Sequence, residues 1–558
     1  MTKVSPTPNI NEIVQSLKSK GIKTWFDLGL FLDKIQDAPT QTKFDGDFES
    51  YRSYINEGAI GMMSFFFTID GITVEANKYT RVLKNIFPET KVHYIAGEIH
   101  EEADTLIETP FRKEIKEMDG FDNWSLYHKF FKEKIERGSP GYNALITEFW
   151  DETLRIFEQL GEYIVENDIR LLYIINVCSN PGNVSLALAT ALISEHLQIP
   201  VINNNHDFYW EGGSRKVDIE EHGAPKGPRD FFFTNSDVGE FFSVLEVLFP
   251  WNRRSWMTVN INRIQYEHTI LNNGHNPNNV EQIGTALDHD VHHNVSKRNM
   301  IRAFKQAAFI FANKKDSITV HTAKHHIDSK RSLEPILLGS ETIRNFDFVN
   351  NNIVFLQPTR VISRKSIELN FKLIAKLFSN QNFLNKFIEN PELKISMIVT
   401  GPIPHGQQNY YRSLIKDFSN FLETLPDEFK PKIFLGFLFS AFDKDSFKQK
   451  YNSPIDINRL YQIASLILLP SQTEGRGLPI LEAAASGTPI YCRQYEPREV
   501  YDEVIGNHMS EVNRLKVLEF SGSKVSNKLI DQIIDQVFYP QYNVDIVEHN
   551  LNVIKHRY

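Results

Sequence analysis

The sequence predicts an α/β protein with two doubly wound domains, each a mainly parallel sheet covered by helices on both faces. Apolar runs of strand length alternate with segments of helical period in the first half of the chain, and again from about residue 350. A chain of 558 residues is also too long for one ordinary core. Two such domains facing each other would leave a cleft at the carboxyl ends of their strands, where ligands of this architecture bind.

Two strand–loop–helix–strand units predict the first domain. One is "AIGMMSFFFTIDGITVEANKYTRVLKNIFPETKVHYIAGEI", with Asp70-Gly71 in the loop, and the other is "RLLYIINVCSNPGNVSLALATALISEHLQIPVINNNHDFYWEGG". Residues 1–55 have the period of amphipathic helices, so they predict a helical N-terminal extension. Residues 100–165 are rich in Glu, Lys, Phe and Trp without strand alternation, and they predict a helical insertion.

The second domain begins where "NNNIVFLQPTRVISRKSIELNFKLIAKLF" predicts a strand and a helix, and "KISMIVTG", "KIFLGFL" and "LILLPS" predict further strands. The preceding stretch, about residues 255–345, is rich in Asn and His without a steady period, and it predicts a few helices and a domain junction. The expected division is therefore an extension (1–55), a first domain (56–345), a second domain (346–540) and a C-terminal helix (541–558).

Composition restricts the classes of function. The 61 Lys and Arg against 70 Asp and Glu give a net charge of −9, so we expect no nucleic-acid partner. The two cysteines, Cys178 and Cys492, are far apart and predict neither a disulfide framework nor a cysteine zinc site. No apolar window of about 18 residues and no signal-peptide core occurs, so we expect a cytoplasmic protein without a transmembrane segment.

The stretch "LILLPSQTEGRGLPILEAAASGTPI" predicts a strand, a loop and a helix that starts at Pro479. A helix starting just beyond a strand's carboxyl end directs free amides at a ligand, and Gly475 and Gly477 allow the backbone to come close. Glu474 and Glu482 then suit acceptors for sugar and ribose hydroxyls. Isolated glutamates at such positions are more often a turn cap and an ordinary helical acid.

In its context, the stretch Pro470–Pro489 resembles the retaining glycosyltransferases of family four, which have the two-domain GT-B fold and carry P-S-x-x-E-G-x-G-L-P-x-x-E-A-x-A-x-G-x-P. The family's G-R-x4-K-G turn is similar to "TRVISRKS", which supplies Arg360 and Lys365, with Ser366 replacing the last glycine. "VTGP" and "FLGFL" occupy the places of the family's nucleotide-side loops. The family's Gly-Gly loop is similar to Asp70-Gly71, and "NNNHDFYW" supplies a histidine at a strand end. The ending "IVEHNLNVIKHRY" is similar to the family's last helix, which implies that residues 541–558 cross back toward the first domain.

The resemblance implies a transferase that moves a hexosyl group from a nucleotide-sugar to a hydroxyl with retained configuration. It assigns the diphosphate to Arg360 and Lys365, the donor sugar to Glu474, the ribose to Glu482 and the far side of the sugar to His206. The remaining implied donor-binding residues are Gly71, Gly401, Gly475, Arg476, Gly477 and Leu478. No side chain is assigned as nucleophile, because the leaving phosphate oxygen can accept the acceptor's proton.

Donor and acceptor are less restricted by the sequence. UDP-glucose is the expected donor from its frequency in the family, with GDP- and ADP-sugars as alternatives, and we expect no cofactor and no metal. The polar run "DHDVHHN" with His289, Asp290, His292 and His293 has irregular spacing and indicates a solvated loop. The acceptor can be a small metabolite, a glycan, a lipid or a protein, and the oligomeric state stays open.

Other functions fit the same residues. An epimerase or a phosphorylase of the same GT-B fold would use the nucleotide-sugar or phosphate site differently. A noncatalytic sugar-nucleotide-binding partner of another glycosyltransferase would keep the site and use the unmatched helical segments as contact surface. A glycosidase is less favoured, because its two carboxyl groups flank the scissile bond, whereas both glutamates here belong to one strand–loop–helix unit.

Overall fold

The computed structural model describes residues 8–557, except for 45, 69, 108, 132, 134, 212–238, 285–286, 288–295, 314, 327–333, 404–406, 439–443, 453–456, 523–524 and 540–543. The chain divides into two compact units, Met1–Thr285 and Ala286–Tyr558. This boundary lies earlier than the one expected at residue 345. The reason is that two short strands between these positions pair within the second sheet.

The first unit contains a sheet of seven strands, all parallel, in the order β5-β3-β1-β6-β7-β8-β9. A separate pair, β2 and β4, lies outside this sheet. The strands among the described residues of this unit are β1 (Ala59–Met63), β2 (Phe66–Phe67), β3 (Lys91–Ala96), β4 (Glu98–Ile99), β5 (Arg112–Glu114), β6 (Ile169–Ile175), β7 (Val201–Asn205), β8 (Trp256–Asn260) and β9 (Val280–Gln282).

Helices connect these strands and precede the first of them. The described α-helices of this unit are α1 (Ile10–Lys18), α2 (Trp25–Asp37), α3 (Phe48–Asn56), α4 (Gly71–Ile86), α5 (Tyr127–Phe131), α6 (Pro140–Glu166), α7 (Val184–Leu197), α8 (Gly239–Leu248) and α9 (Arg263–Leu271). Short 3-10 helices occur at Glu101–Thr105, Lys116–Met118, Phe121–Asn123 and Pro277–Asn279.

The N-terminal helices belong to the core of the first unit. Ile10, Val14 and Leu17 line one face of α1 at helical spacing and are buried. A Cβ at Gly161 of α6 would lie 3.1 Å from the Ile10 side chain, so the two helices approach closely there. The helix α2 starts at a capping box formed by Thr24 with Asp27. The predicted helical extension is therefore packed structure rather than a free arm.

The second unit contains an eight-stranded sheet in the order β10-β11-β14-β13-β12-β15-β16-β17. Only the β11–β14 pairing is antiparallel among the described pairs. The strands are β10 (Val320–Thr322), β11 (Ile336–Gly339), β12 (Asn352–Gln357), β13 (Lys394–Val399), β14 (Ile433–Phe437), β15 (Leu466–Leu469), β16 (Ile490–Arg493) and β17 (Leu518–Phe520).

Helices cover this sheet as well. The described α-helices are α10 (Lys297–Ala312), α11 (Ala323–His326), α12 (Leu369–Phe378), α13 (Gln381–Glu389), α14 (Gln408–Glu423), α15 (Lys444–Tyr451), α16 (Leu478–Ser486), α17 (Arg498–Ile505), α18 (Asn527–Phe538) and α19 (Val544–Arg557). The 3-10 helices are Ser363–Lys365, Lys430–Lys432, Ile457–Ile463 and Glu511–Asn513.

The last helix, α19, is fixed to the second unit at two points. Asn550 hydrogen bonds with both the backbone N–H and the C=O of Lys516, and Arg557 donates to the carbonyls of Glu503 and Val504 at the end of α17. The expected course of this helix back toward the first domain stays a prediction. None of the helices in the described part of the chain combines the length and the apolar character that a membrane span requires.

Candidate functional site

The loop that carries Glu474 is held in place by backbone hydrogen bonds on both sides. It connects β15 to α16. Gln472 N–H donates to the Arg364 carbonyl and Glu496 N–H to the Gln472 carbonyl, both at 2.8 Å, and Glu474 N–H donates to the Glu496 carbonyl at 3.0 Å. Glu474 therefore stands on a loop whose backbone conformation is set by two other segments of the unit.

Lys365 and Glu474 form a buried ion pair. Lys365 Nζ lies 2.5 Å from Glu474 Oε1, and each side chain is 9% exposed. Lys365 ends the 3-10 helix Ser363–Lys365, and Ser366 after it has a left-handed backbone (φ 47°). The family's glycine at that position would adopt this conformation without a steric cost. The two residues that the motifs predict for one site are thus in direct contact.

The charges of this pair depend on each other. Burial lowers the pKa of Lys365 to about 8, although Glu474 opposes the shift. Burial alone would raise the pKa of Glu474, but Lys365 and Arg364 outweigh it and hold this pKa below its ordinary value. At neutral pH both groups are therefore charged, as an ion pair shielded from solvent.

Two arginines add positive charge beside the pair. Arg364 Nη1 donates to the Thr473 carbonyl at 2.9 Å, and this bond connects the 3-10 helix of Lys365 to the loop that carries Glu474. Arg360 is exposed, and its charge is close enough to lower the pKa of Lys365. Three cations around one carboxylate leave this place net positive, which suits a diphosphate.

Two glycines of the predicted site are required by close packing. A Cβ at Gly401 would lie 2.7 Å from the Thr359 carbonyl oxygen and from the Arg360 backbone nitrogen. Gly477 has φ +60°, and its Cβ would lie 2.2 Å from Tyr495 Oη. A side chain at position 401 would displace the turn that contains Arg360, and a side chain at position 477 would displace the start of α16.

The start of α16 has no side-chain cap. Gly477 is the N-cap residue and Pro479 occupies the first turn, so free amides point out of the helix start. Leu478 is the first residue of the helix, and Gly475 and Arg476 precede it, half-buried. Glu482 follows about one turn later and is half-buried, and Tyr461 Oη donates to its Oε2 at 2.5 Å.

Gly71 begins α4 in the first unit, and the residue before it has a structural role. Asp70 is the N-cap of α4, and its carboxylate accepts a hydrogen bond from Thr73 N–H at 2.9 Å. The replacement of a family glycine by Asp70 thus supplies a helix cap. The exposed Gly71 has no neighbour within 4 Å of an added Cβ, so packing does not require a glycine there.

His206 is buried at the end of β7, 6% exposed. The backbone N–H groups of His206 and Asp207 both donate to Asn176 Oδ1, at 2.7 and 3.1 Å. Gln265 Nε2 donates to the His206 carbonyl at 3.1 Å. Trp210, four residues after His206, is half-buried, and its ring stacks on the His268 ring with 3.8 Å between the ring centroids. The Trp210 ring therefore packs against the protein.

The structure brings most of the predicted residues together within the second unit. Lys365, Glu474, Arg360 and the loop of Gly401 are joined by the contacts above. Glu482 lies on α16, the helix that follows the loop of Glu474. His206 and Gly71 belong to the first unit. The roles assigned to all of these residues, in both units, stay predictions.

Three residues that contribute to the geometry around the predicted site residues were not predicted from the sequence. Arg364 stands inside the "TRVISRKS" turn, so its charge was a usable signal. Tyr461 belongs to no motif, and its contact with Glu482 depends on folding. Asn176 follows a buried strand directly, which was a weak signal for a residue at the sheet's carboxyl edge.

Other groups do not form a second site of this kind. Within the described residues, no cluster of three His, Cys, Asp or Glu side chains has the arrangement of a metal site. His289, Asp290, His292 and His293 lie outside the described residues. A groove of about 840 Å³ in the second unit is lined by Gly487, Asn550 and residues around them, at the far end of α16, and contains none of the predicted site residues.

Comparison with known proteins agrees with this geometry. The family model described as "Glycosyl transferases group 1" matches residues 444–511, the segment with the glutamate loop and α16. Mannosylglucosylglycerate synthase of Petrotoga mobilis is 24% identical, over 76% of this chain and 80% of its own. Mannosylglucosylglycerate synthase of Thermotoga maritima is 21% identical, over 88% of this chain and 94% of its own.

Among solved structures, Anabaena Alr3699/HepE in complex with UDP and glucose has a TM-score of 0.50 and 13% identity, and covers 90% of this chain and 95% of that one. This likeness concerns the fold, and it assigns the two doubly wound units to the GT-B architecture. The chain therefore has the GT-B fold, is similar to the group 1 glycosyl transferases over residues 444–511, and has two relatives over most of its length, which together support glycosyltransferase activity.

Proposed function

We propose that the protein is a retaining hexosyltransferase that moves a hexosyl group from a nucleotide-sugar to a hydroxyl of its acceptor. The observation that supports this most directly is the buried Lys365–Glu474 pair, with Arg360 and Arg364 beside it. A site with two spare positive charges binds a diphosphate, and a fixed carboxylate next to it binds sugar hydroxyls.

The reaction breaks the bond between the anomeric carbon and the diphosphate oxygen. It forms a bond from the anomeric carbon to the acceptor oxygen on the same face. The acceptor's proton goes to the leaving phosphate oxygen, so no protein base is required. Negative charge grows on the diphosphate as its bond breaks, and cations already fixed at that place lower the barrier.

Each residue has a distinct part in this proposal. Arg360 and Lys365, with the free amides at the start of α16, hold the diphosphate. Glu474 accepts hydroxyls of the donor sugar, and its position is fixed by Lys365 and by the loop hydrogen bonds. Glu482 accepts ribose hydroxyls, and His206 contacts the far side of the sugar. We propose no metal and no cofactor.

UDP-glucose is the first donor to test. The printed names of the two relatives contain mannosyl, glucosyl and glycerate parts, so a nucleotide-activated mannose belongs in the same panel. These names also suggest an acceptor class, a small glycoside that carries a carboxylate. We propose such glycosides as the first acceptors, and a cytoplasmic location in which such small metabolites are made.

The test is release of nucleoside diphosphate from UDP-, GDP- and ADP-sugars, with and without glucosylated hydroxy acids as acceptors. We expect release from one donor, faster with acceptor, and a glycoside product of retained configuration by NMR. Glu474→Gln should lose the activity, whereas Glu423→Gln, at an exposed position at the end of α14, should keep it. An isomerised donor would indicate an epimerase, and dependence on inorganic phosphate a phosphorylase. A folded protein that releases no diphosphate from any donor would contradict the proposal.

A further inference from the structure

Tyr461 is a buried residue outside every motif, and it contacts the second glutamate of the site. It lies in the 3-10 helix Ile457–Ile463 and is 2% exposed. Its hydroxyl donates to Glu482 Oε2 at 2.5 Å. Its backbone carbonyl accepts a hydrogen bond from Thr488 Oγ1 at 2.9 Å. Tyr461 is therefore held at two points, by Glu482 of α16 and by Thr488, two residues after the end of this helix.

The two oxygens of Glu482 differ in their surroundings. Oε2 accepts the Tyr461 hydroxyl, whereas Oε1 accepts no hydrogen bond from the described part of the chain. Burial first, and the nearby Glu482 second, raise the pKa of Tyr461 well above its ordinary value, so its hydroxyl stays a donor at physiological pH. One fixed oxygen sets the plane of the carboxylate, and the other oxygen is presented in a defined direction.

We propose that Tyr461 is a positioning residue, which orients Glu482 so that Oε1 accepts a hydrogen bond from a ribose hydroxyl of the nucleotide. The inference rests on the proposed function, because it needs a nucleotide at this site. Without the tyrosine hydroxyl, the Glu482 carboxylate would have more freedom to rotate before the nucleotide binds, and binding would have to order it. Tyr461 acts through Glu482 and touches neither the diphosphate nor the transferred sugar.

A merely structural hydrogen bond makes a different prediction, and the chain offers a matched control. Tyr501 is 0% exposed in the same unit, and its hydroxyl donates to Glu519 Oε2 at 2.7 Å. Removal of either tyrosine hydroxyl leaves a half-buried carboxylate with one hydrogen bond fewer, so both changes lower stability. Only the change at Tyr461 should alter how the protein distinguishes ribose from deoxyribose.

The experiment measures calorimetric binding of UDP, GDP and ADP, and of the 2′-deoxy and 3′-deoxy forms of whichever binds. In the wild type we expect a deoxy form to bind about 10-fold more weakly or worse, because it lacks a hydrogen bond to a charged group. Tyr461→Phe should weaken binding of the ribose form by roughly 3- to 10-fold and reduce the deoxy penalty to about threefold or less. The KM for the donor should rise in step while kcat stays within about twofold.

Two further variants test whether Tyr461 acts through Glu482. In a Glu482→Ala background, Tyr461→Phe should have no further effect on nucleotide affinity. Thr488→Val is a milder change that loosens the backbone of Tyr461, and it should reduce the deoxy penalty in the same direction. Thermal unfolding of every variant establishes that it is folded at the assay temperature.

The outcomes separate this inference from the proposed function. An undiminished deoxy penalty in Tyr461→Phe, or a reduction equally large in Tyr501→Phe, would overturn the positioning role while leaving the nucleotide site in place. An equal loss of affinity from Tyr461→Phe with and without Glu482 would overturn it as well. If none of the three diphosphates binds the folded wild type, the proposed function and this inference fail together.

Discussion

The carboxyl ends of the strands differ between the two units in how their buried polar groups are satisfied. In the second unit, the buried charges of Lys365 and Glu474 compensate each other at 2.5 Å. In the first unit, fully buried polar side chains lie in the carboxyl-terminal halves of β7 and β8. Among them, Asn203 of β7 lies opposite Thr258 of β8. Within the described part of the chain, the side-chain polar atoms of these two residues have no hydrogen-bond partner.

The pair two residues further along the same strands repeats this arrangement. Asn205 lies opposite Asn260, both are fully buried, and the amide atoms of both lack a partner in the described chain. Successive residues of a strand point to opposite faces, so these four side chains share one face of the sheet. Loss of either member of a buried ion pair lowers the stability of the fold, because the other charge is left without a partner. A buried neutral group without a hydrogen-bond partner already lowers stability, and an apolar substitution removes that loss.

The largest expected effect comes from breaking the ion pair. Lys365→Met should destabilise the second unit by about 3–5 kcal/mol, because it leaves the Glu474 carboxylate buried without its partner. Adding Glu474→Leu should restore most of this stability, since two apolar side chains of similar volume then replace the pair. Chemical denaturation of the single and double variants measures both steps, and equal stability of wild type and Lys365→Met would contradict the compensation.

The second prediction concerns pH. If the proposed role of Lys365 holds, turnover should fall above about pH 8, because the pKa of Lys365 is lowered to about 8 and only its ammonium form stabilises the leaving diphosphate. The folded chain releases this proton at lower pH than the unfolded chain, whose lysine keeps a pKa near 10.5. Between these values, rising pH favours the folded state through this group, so activity should fall without a loss of stability.

Rates across pH 6.5–9.5 with parallel thermal unfolding test this prediction. The residual activity of Lys365→Arg should lose the alkaline decline, because an arginine keeps its proton over the whole range. A wild-type rate that stays flat to pH 9.5 would contradict the role given to Lys365.

The smallest expected effect is a gain of stability in the first unit. Thr258→Val keeps the shape of the side chain and removes a buried hydroxyl without a partner, so it should stabilise the protein by about 1 kcal/mol. The midpoint of thermal unfolding should rise by about 2 °C. Thr153→Val is the matched control, because Thr153 is equally buried but its hydroxyl donates to the Phe149 carbonyl at 2.8 Å. It should lower the midpoint, and a lower midpoint for Thr258→Val too would erase the contrast between the units.

The sequence predicted those helices and strands whose hydrophobic pattern extends over enough residues to be recognised. The runs that became β1, β6, β12 and β15 are continuous apolar segments, as buried parallel strands require. The sequence predicts that α16 starts at Pro479, one residue after its observed start at Leu478, because glycine and proline mark a helix start. Strands of three residues, such as β5, β9 and β10, show no readable period, and pairing with neighbouring strands determines them.

The same distinction applies to the site. Arg360, Lys365 and Glu474 stand in motifs with fixed spacing, so the sequence could predict them. Tyr461 reaches Glu482 across 21 positions through the packing of a 3-10 helix on α16, and no local pattern encodes that contact. Contacts of this kind depend on the tertiary fold.

The most direct test of the central claim compares nucleoside diphosphate release by the wild type and by the Lys365→Met/Glu474→Leu double variant, using the donor that the wild type accepts. The two proteins should have similar stability, so a difference in rate reports the chemistry of the ion pair alone. We predict that the double variant loses turnover by about 100-fold or more, as expected when fixed charges that stabilise a transition state are removed. A double variant as stable and as active as the wild type would show that the pair has no part in turnover.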